Sequence, residues 1–295
     1  MKIKKLISAL VLGSMLVGLS GCNITDFSAE NLLRPPKAVG DEAEIEQLIA
    51  KTADSGYTLK YPKNGKFRSA IIMTDLDGND SNEAVAFFRN SAETSSVHML
   101  VMYSKDNSWE IASDNIFETT DIDSVDFADL TGNGKAEIIV NSTTYTPNVG
   151  KLSCYSYSEG KTNEVGSGQS CSSFVTGDFD NDGTSEIMSL VLYTTENEAL
   201  ASMLDYNEDS KSLYAKAMAN MDPNVVKYKN IAVTKLDNDI TGIVVDGTSA
   251  NEVTNTQVIF YSRDLAILRN PLFKEKAKNI TRRSSQVICS DIDKD

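Results

Sequence analysis

The chain has 295 residues, 41% hydrophobic and 24% charged, a globular composition that excludes wholesale disorder. With 28 Lys and Arg against 42 Asp and Glu, the net charge is −14, so the basic footprint of a nucleic-acid binder is missing and no nucleic-acid partner is expected. Four cysteines are too few for a disulfide scaffold, and the single histidine, His98, excludes zinc held by several histidines and is the sole candidate for a His-based catalytic triad.

At the N-terminus, Lys2, Lys4 and Lys5 precede an uncharged, mostly apolar run from Leu6 to Ser20. A run of about 15 residues is short of the roughly 20 that span a bilayer, so it reads as a signal peptide rather than a membrane span. Its end, Leu19-Ser20-Gly21-Cys22, resembles the lipobox of bacterial lipoproteins. That resemblance implies removal of residues 1–21, lipidation of the Cys22 thiol and attachment to a membrane outside the cytoplasm. Loss of the three lysines takes the net charge from −14 to −17, and such a body is repelled by an anionic lipid surface.

Residues 22–40 have no periodicity, contain Pro35-Pro36 and read as a tether. Residues 41–66 follow as a short helix and lead-in. Ile45, Leu48 and Ile49 share one face of a helix over 41–53, and Asp41 with Glu44 has capping-box spacing.

From residue 67 to 295, short apolar runs alternate with turn signals every 8–12 residues, the pattern of an all-β body. The first unit predicts strands over 69–73, 83–88, 97–103 and 108–112, with a turn over 104–107. Four antiparallel strands in about 45 residues is the size of a propeller blade. The unit repeats, with acidic loops that begin at residues 75, 129, 178, 235 and 291. Four blades and the opening of a fifth are expected, from a larger propeller of which this chain is a fragment.

The loops follow the pattern D-x-[DNT]-x-[DN]-x-x-x-E. Alternate residues converge when the backbone curls, so side-chain oxygens at positions 1, 3, 5 and 9 and the carbonyl at position 7 can surround one hard cation. Calcium, which takes six to eight oxygens, fits best. The candidate ligands are Asp75, Asp77, Asn79, Ser81 and Glu83 in the first loop, and Asp129, Thr131, Asn133, Lys135 and Glu137 in the second. Asp178, Asp180, Asp182, Thr184 and Glu186 form the third set, and Asp291, Asp293 and Asp295 open the fifth. Carboxylate count ranks the third loop above the first and the first above the second. The fourth keeps only Asp237 and Asp239, with Lys235 at position 1, and is expected to hold an ammonium rather than a metal. Position 12 carries Ala86, Val140 and Ser189, which excludes an EF-hand, and the β-rich segments that follow put each loop between two strands.

Residues 174–187, Phe-Val-Thr-Gly-Asp-Phe-Asp-Asn-Asp-Gly-Thr-Ser-Glu-Ile, resemble the FG-GAP-like (VCBS) repeat family, which includes the integrin α-chain propeller. The resemblance covers roughly residues 67–295 and implies a β-propeller with calcium in the hairpin between the first two strands of a blade. Asp80 departs from the usual Gly at position 6, and Thr131 from the usual acid at position 3.

Elsewhere, His98 reads as structural, because no nucleophile or orienting group accompanies it. Trp109 and the tyrosines at 155, 157, 193, 206, 214 and 228 read as packing between blades. Cys154 and Cys171 flank a Gly/Ser-rich turn, and their pairing as a disulfide depends on strand register. No P-loop, G-x-S-x-G, Rossmann glycine fingerprint or H-E-x-x-H motif occurs. The expected role is a surface binding module for a protein or glycan. The alternatives are a polysaccharide-processing enzyme acting at the propeller face and a structural spacer.

Overall fold

A computed structural model describes residues 40–53, 56–237 and 239–268. The signal peptide, Cys22, most of the tether, Cys289 and the fifth loop with Asp291, Asp293 and Asp295 lie outside them. The chain divides into two compact units, residues 1–43 and 44–295. Of the first, the described part is Gly40 and the opening turn of helix α1 (Asp41–Ala53). Asp41 is already helical rather than a cap, and Glu44 accepts instead from the Trp109 N–H at 3.4 Å.

The second unit is all-β, with four antiparallel sheets in chain order. The first contains β1 (Tyr57–Leu59), β2 (Ile71–Thr74), β3 (Glu83–Asn90), β4 (Val97–Lys105) and β5 (Ser108–Phe117). The second contains β6 (Ile122–Ala128), β7 (Glu137–Thr143), β8 (Gly150–Ser158) and β9 (Lys161–Cys171). In the third are β10 (Ser173–Gly177), β11 (Glu186–Tyr193), β12 (Glu198–Asn207) and β13 (Ser212–Asn220). The fourth is built from β14 (Lys227–Asp237), β15 (Ile240–Thr248), β16 (Thr254–Tyr261) and β17 (Leu265–Leu268). Each sheet is an up-and-down meander, which tight turns permit. Asp106-Asn107 and Glu159-Gly160 close the β4–β5 and β8–β9 hairpins, with φ of 51°, 61°, 52° and 72° in turn. Positive φ at both central residues matches the right-handed twist of the flanking strands. The short β1 was not evident from sequence; it extends the β2 edge, pairing with Phe88–Asn90 beyond the segment of β3 that pairs with β2.

Successive sheets share apolar cores. Val85, Phe87, Met99 and Val101 of the first sheet meet Ile138, Val140, Tyr155 and Tyr157 of the second. Ile139, Leu152 and Cys154 meet Ile187, Leu204 and Leu213. Met188, Leu190 and Met203 meet Ile243, Val245 and Ile259. The two inner sheets are thus buried on both faces by their neighbours and the first between the second sheet and α1, which is why β3, β7 and β11 are apolar without alternation. Ile45, Ile49 and Ala53 of α1 cover the outer face of the first sheet, on Ala84, Ala86, Phe88, Leu100 and Trp109. Trp109 therefore packs beneath a helix, not between sheets.

The register decides against a disulfide. Cys154 and Cys171 are both free and buried, because Cys171 faces Gly150 and Cys154 faces Gly166 across β8–β9. The register fixed by the Glu159-Gly160 turn sets that offset, and the two small shifts along the pair do not close it. Burial raises both thiols well above their ordinary range and leaves them inert.

Candidate metal centres in the acidic loops

The first three acidic loops join β2 to β3, β6 to β7 and β10 to β11, and they share one set of hydrogen bonds. In each, the Glu at position 9 opens the following strand and turns back, accepting the N–H of position 2 at 2.8 Å. The pairs are Glu83 with Leu76, Glu137 with Leu130, and Glu186 with Phe179. The Asp at position 1 accepts from position 6: Asp80 to Asp75 at 2.9 Å, Gly134 to Asp129 at 2.7 Å, and Gly183 to Asp178 at 3.2 Å. The side chain at position 5 accepts from position 7: Ser81 to Asn79 at 2.7 Å, Lys135 to Asn133 at 2.8 Å, and Thr184 to Asp182 at 2.8 Å.

This curl needs left-handed backbone at positions 4 and 6. Gly183 has φ of 93°, and a Cβ there would meet nothing within 4 Å, so glycine is used for backbone freedom rather than for space. Asp80 holds the same position at φ 66°, at some local strain that a short polar side chain tolerates. Neighbouring loops are tied together as well. Ala136 N–H donates to the Leu76 carbonyl at 3.1 Å, and Ser185 N–H to the Asp129 carbonyl at 2.9 Å. The three loops are therefore side by side at one end of the sheets.

They differ in the oxygens left over. One carboxylate oxygen from each of Asp178, Asp180, Asp182 and Glu186 lies within 4.8 Å of the others, and Asp75, Asp77 and Glu83 cluster in the same way. Glu186 Oε1, Asp178 Oδ1 and Asp77 Oδ1 are buried with no hydrogen-bond partner. Burial, reinforced by the Asp180, Asp182 and Asp205 charges, pushes the Glu186 carboxyl up to about 8. Burial also raises Glu83 and Glu137, whose partners at Leu76 and Leu130 pull the other way. Desolvation opposes ionisation of Asp75 too, but the Gly78, Asp80 and Asn79 N–H groups outweigh it and lower its range. In the second loop Thr131 Oγ1 donates to Glu137 Oε1 at 3.2 Å, so both Glu137 oxygens are engaged. That loop forms no such carboxylate cluster among the described residues.

No family model matches this chain, and no curated protein matches it. Among solved structures, Sqt1 of Saccharomyces cerevisiae superposes with a TM-score of 0.43 at 14% identity, over 73% of this chain and 54% of its own. The chain thus spans about half the length of that structure.

Two groups at the third loop had no sequence signal. Lys216 of β13 forms ion pairs with Asp180 and, at 2.8 Å, with Asp205 of β12. Burial acts against its charge, but the two carboxylates outweigh this and hold the ammonium above its ordinary range. Lys216 would therefore compete with any cation for Asp180. Replacing it (Lys216→Met) is expected to tighten divalent-cation binding at this loop about three- to tenfold, read by calorimetric titration of the metal-stripped chain.

At the fourth position the expected loop is replaced by a hairpin. β14 continues to Asp237, opposite Ile240 of β15, and Lys235 makes no ion pair among the described residues. The carbonyl of Asp239 accepts from Asn181 of the third loop instead.

His98 is buried on β4, stacked on Phe88 at 4.8 Å, with Nδ1 3.0 Å from both carboxylate oxygens of Asp114. An orienting carboxylate is thus present although the sequence did not reveal it. Its Nε2 makes no hydrogen bond among the described residues but lies 3.5 Å from Glu93 Oε2, so the ring stands between two carboxylates rather than between a carboxylate and a nucleophile. Tyr155 and Tyr157 pack between the first two sheets and Tyr228 between the last two. Tyr214, 41% exposed, reaches Asp205 at 3.3 Å rather than a core.

Proposed function

We propose that the chain is a lipid-anchored extracytoplasmic binding module, built as an FG-GAP-like β-propeller whose blades are pinned by calcium in their first hairpin. The observation that carries the metal reading is the third loop. Four carboxylates converge there, and Glu186, wholly buried, presents an unpartnered oxygen toward Asp180 and Asp182. A buried carboxylate without a partner is costly, and a cation removes that cost. Flexible loops of carboxylate, amide and carbonyl oxygens suit calcium better than magnesium, which keeps its waters and strict octahedral geometry. The propeller reading draws support from four successive meander sheets, the inner two packed on both faces by their neighbours, and from the first three loops lying at one common end.

Calcium titration of the full chain, purified in detergent and stripped with chelator, tests the metal. About two ions per chain are expected, in the third and first loops, and no binding above that of an unrelated acidic protein would sink the reading. The anchor is tested with Cys22→Ala, which is expected to move the chain from the membrane pellet to the soluble fraction. Retention in the pellet would count against lipidation.

A further inference from the structure

The acidic loops close one end of the first strands. At the other end, about 20 Å away along the strand, the same strands build a cleft of about 800 Å³. It is assembled by register. Asp123, Ser172 and Lys229 each stand six residues before the first residue of their loop, and all three line it. Val125, Phe174 and Ile231, four residues before, line it too. One structural position thus carries an acid, a hydroxyl and a cation in three successive sheets. Two of these three are bulged residues: Asp123 is the extra residue between the Ile122 and Ser124 pairings, and Lys229 lies between those of Tyr228 and Asn230. Bulges re-aim side chains and are frequent beside binding sites.

The cleft is cationic in a protein of net charge −14. Lys63, Lys66, Lys227 and Lys229 line it against Asp123 and Asp126. Both carboxylates are already engaged: Asp123 by Asn64 at 2.8 Å, Ser124 at 3.1 Å and Asn141 at 3.3 Å, and Asp126 by Thr176 at 2.9 Å. Lys63 is held by Asp121 at 3.1 Å. Among the described residues Lys66, Lys227 and Lys229 make no ion pair. Charge of one sign in a concave site concentrates ligands of the opposite sign.

The wall of the cleft is polar as well as cationic. Asn141 lines the cleft and is 1% exposed, yet its Oδ1 has no partner. Opposite it, a Cβ on Gly150 would stand 2.3 Å from that oxygen, so the glycine leaves the space that the amide occupies. Thr144, Thr146 and Ser173 add hydroxyls to the wall, and Phe174 adds an aromatic face. A volume of this size lies in the range of small-molecule sites.

We propose that this cleft binds a small anionic, hydroxyl-rich ligand of the acidic-saccharide class, its carboxylate on Lys227 and Lys229 and its hydroxyls on Thr146 and Ser173. The proposal rests on the reading of the chain as a binding module and names the chemistry of its ligand. Calorimetry on the full chain in detergent, with calcium present, would use digalacturonate as probe and cellobiose and inorganic sulfate as comparisons. Digalacturonate is expected to bind, to weaken as salt rises, and to lose about tenfold in affinity with Lys227→Ala/Lys229→Ala. Lys105→Ala/Lys161→Ala, which removes two exposed lysines elsewhere, should leave it unchanged. No binding at millimolar digalacturonate would overturn the proposal. Equal affinity for cellobiose would do so as well, and sulfate bound as tightly as digalacturonate would mean an adventitious anion only. The wider reading fails differently, through a melting temperature indifferent to calcium, so the two failures separate.

Discussion

Chelation is expected to lower the melting temperature of the full chain by roughly 10–20 °C. A ligand at a hundred times its dissociation constant stabilises a folded site by about 2.7 kcal/mol, so two sites give roughly 5 kcal/mol. In a domain of this size each kcal/mol moves the midpoint by about 2–4 °C. The effect should be cooperative along the chain. The loops are joined through Ala136 to Leu76 and Ser185 to Asp129, so releasing a cation from one loosens the hydrogen bonds that hold its neighbour. Differential scanning in millimolar calcium and in excess chelator measures it. Coincident melts would remove calcium from the account and leave the loops as acidic turns. Glu186→Ala should abolish about half of the difference, that of the third loop, because it removes the one ligand that ties the loop to the start of β11.

What the sequence revealed and what it hid divide along a physical line. The loops were legible because their information is local. An Asp that accepts from position 6 and a Glu that turns back to position 2 need only their own nine residues, and a repeated pattern in three sheets exposes them. The helix over Asp41–Ala53 was legible for the same reason. Contacts set by register were not. Cys154 and Cys171 are kept apart by where the β8–β9 turn falls, which places Cys154 opposite Gly166 and Cys171 opposite Gly150. The cleft depends on bulges at Asp123 and Lys229, which look like ordinary strand residues in the sequence. Lys216 reaches Asp180 only once β13 has been placed beside β12, and Asp114 reaches His98 only across β4 and β5. The fourth loop departs from the others for a local reason that is visible in the sequence. With Lys235 at position 1 and Ile243 at position 9, neither of the two anchoring hydrogen bonds can form, and the chain closes as a hairpin.

Calcium affinity at the third loop is expected to fall about tenfold for each pH unit below about 8. Glu186 must be ionised to serve as a ligand, and in the metal-free fold burial, with the Asp180, Asp182 and Asp205 charges near it, keeps it protonated up to about pH 8. Its ordinary value in an unfolded chain is about 4.3. Between those values the metal-free fold holds a proton that the unfolded chain has released. Its contribution to stability is therefore complete below about pH 4.3 and is lost as pH rises through about 8. The stripped protein should lose stability from pH 5 to pH 8, whereas the calcium-loaded protein should stay nearly constant, because each ion bound near pH 6 releases close to one proton from this loop and the tightening of calcium with pH offsets the loss. Titrations at pH 6 in two buffers of different ionisation enthalpy count that proton directly. Glu186→Gln separates charge from shape. It should flatten the pH dependence of the stripped chain and remove the proton release, with little change in packing at a wholly buried position. A stripped wild-type chain whose melting temperature does not fall between pH 5 and pH 8 would place Glu186 in its ordinary range and remove this argument for a cation.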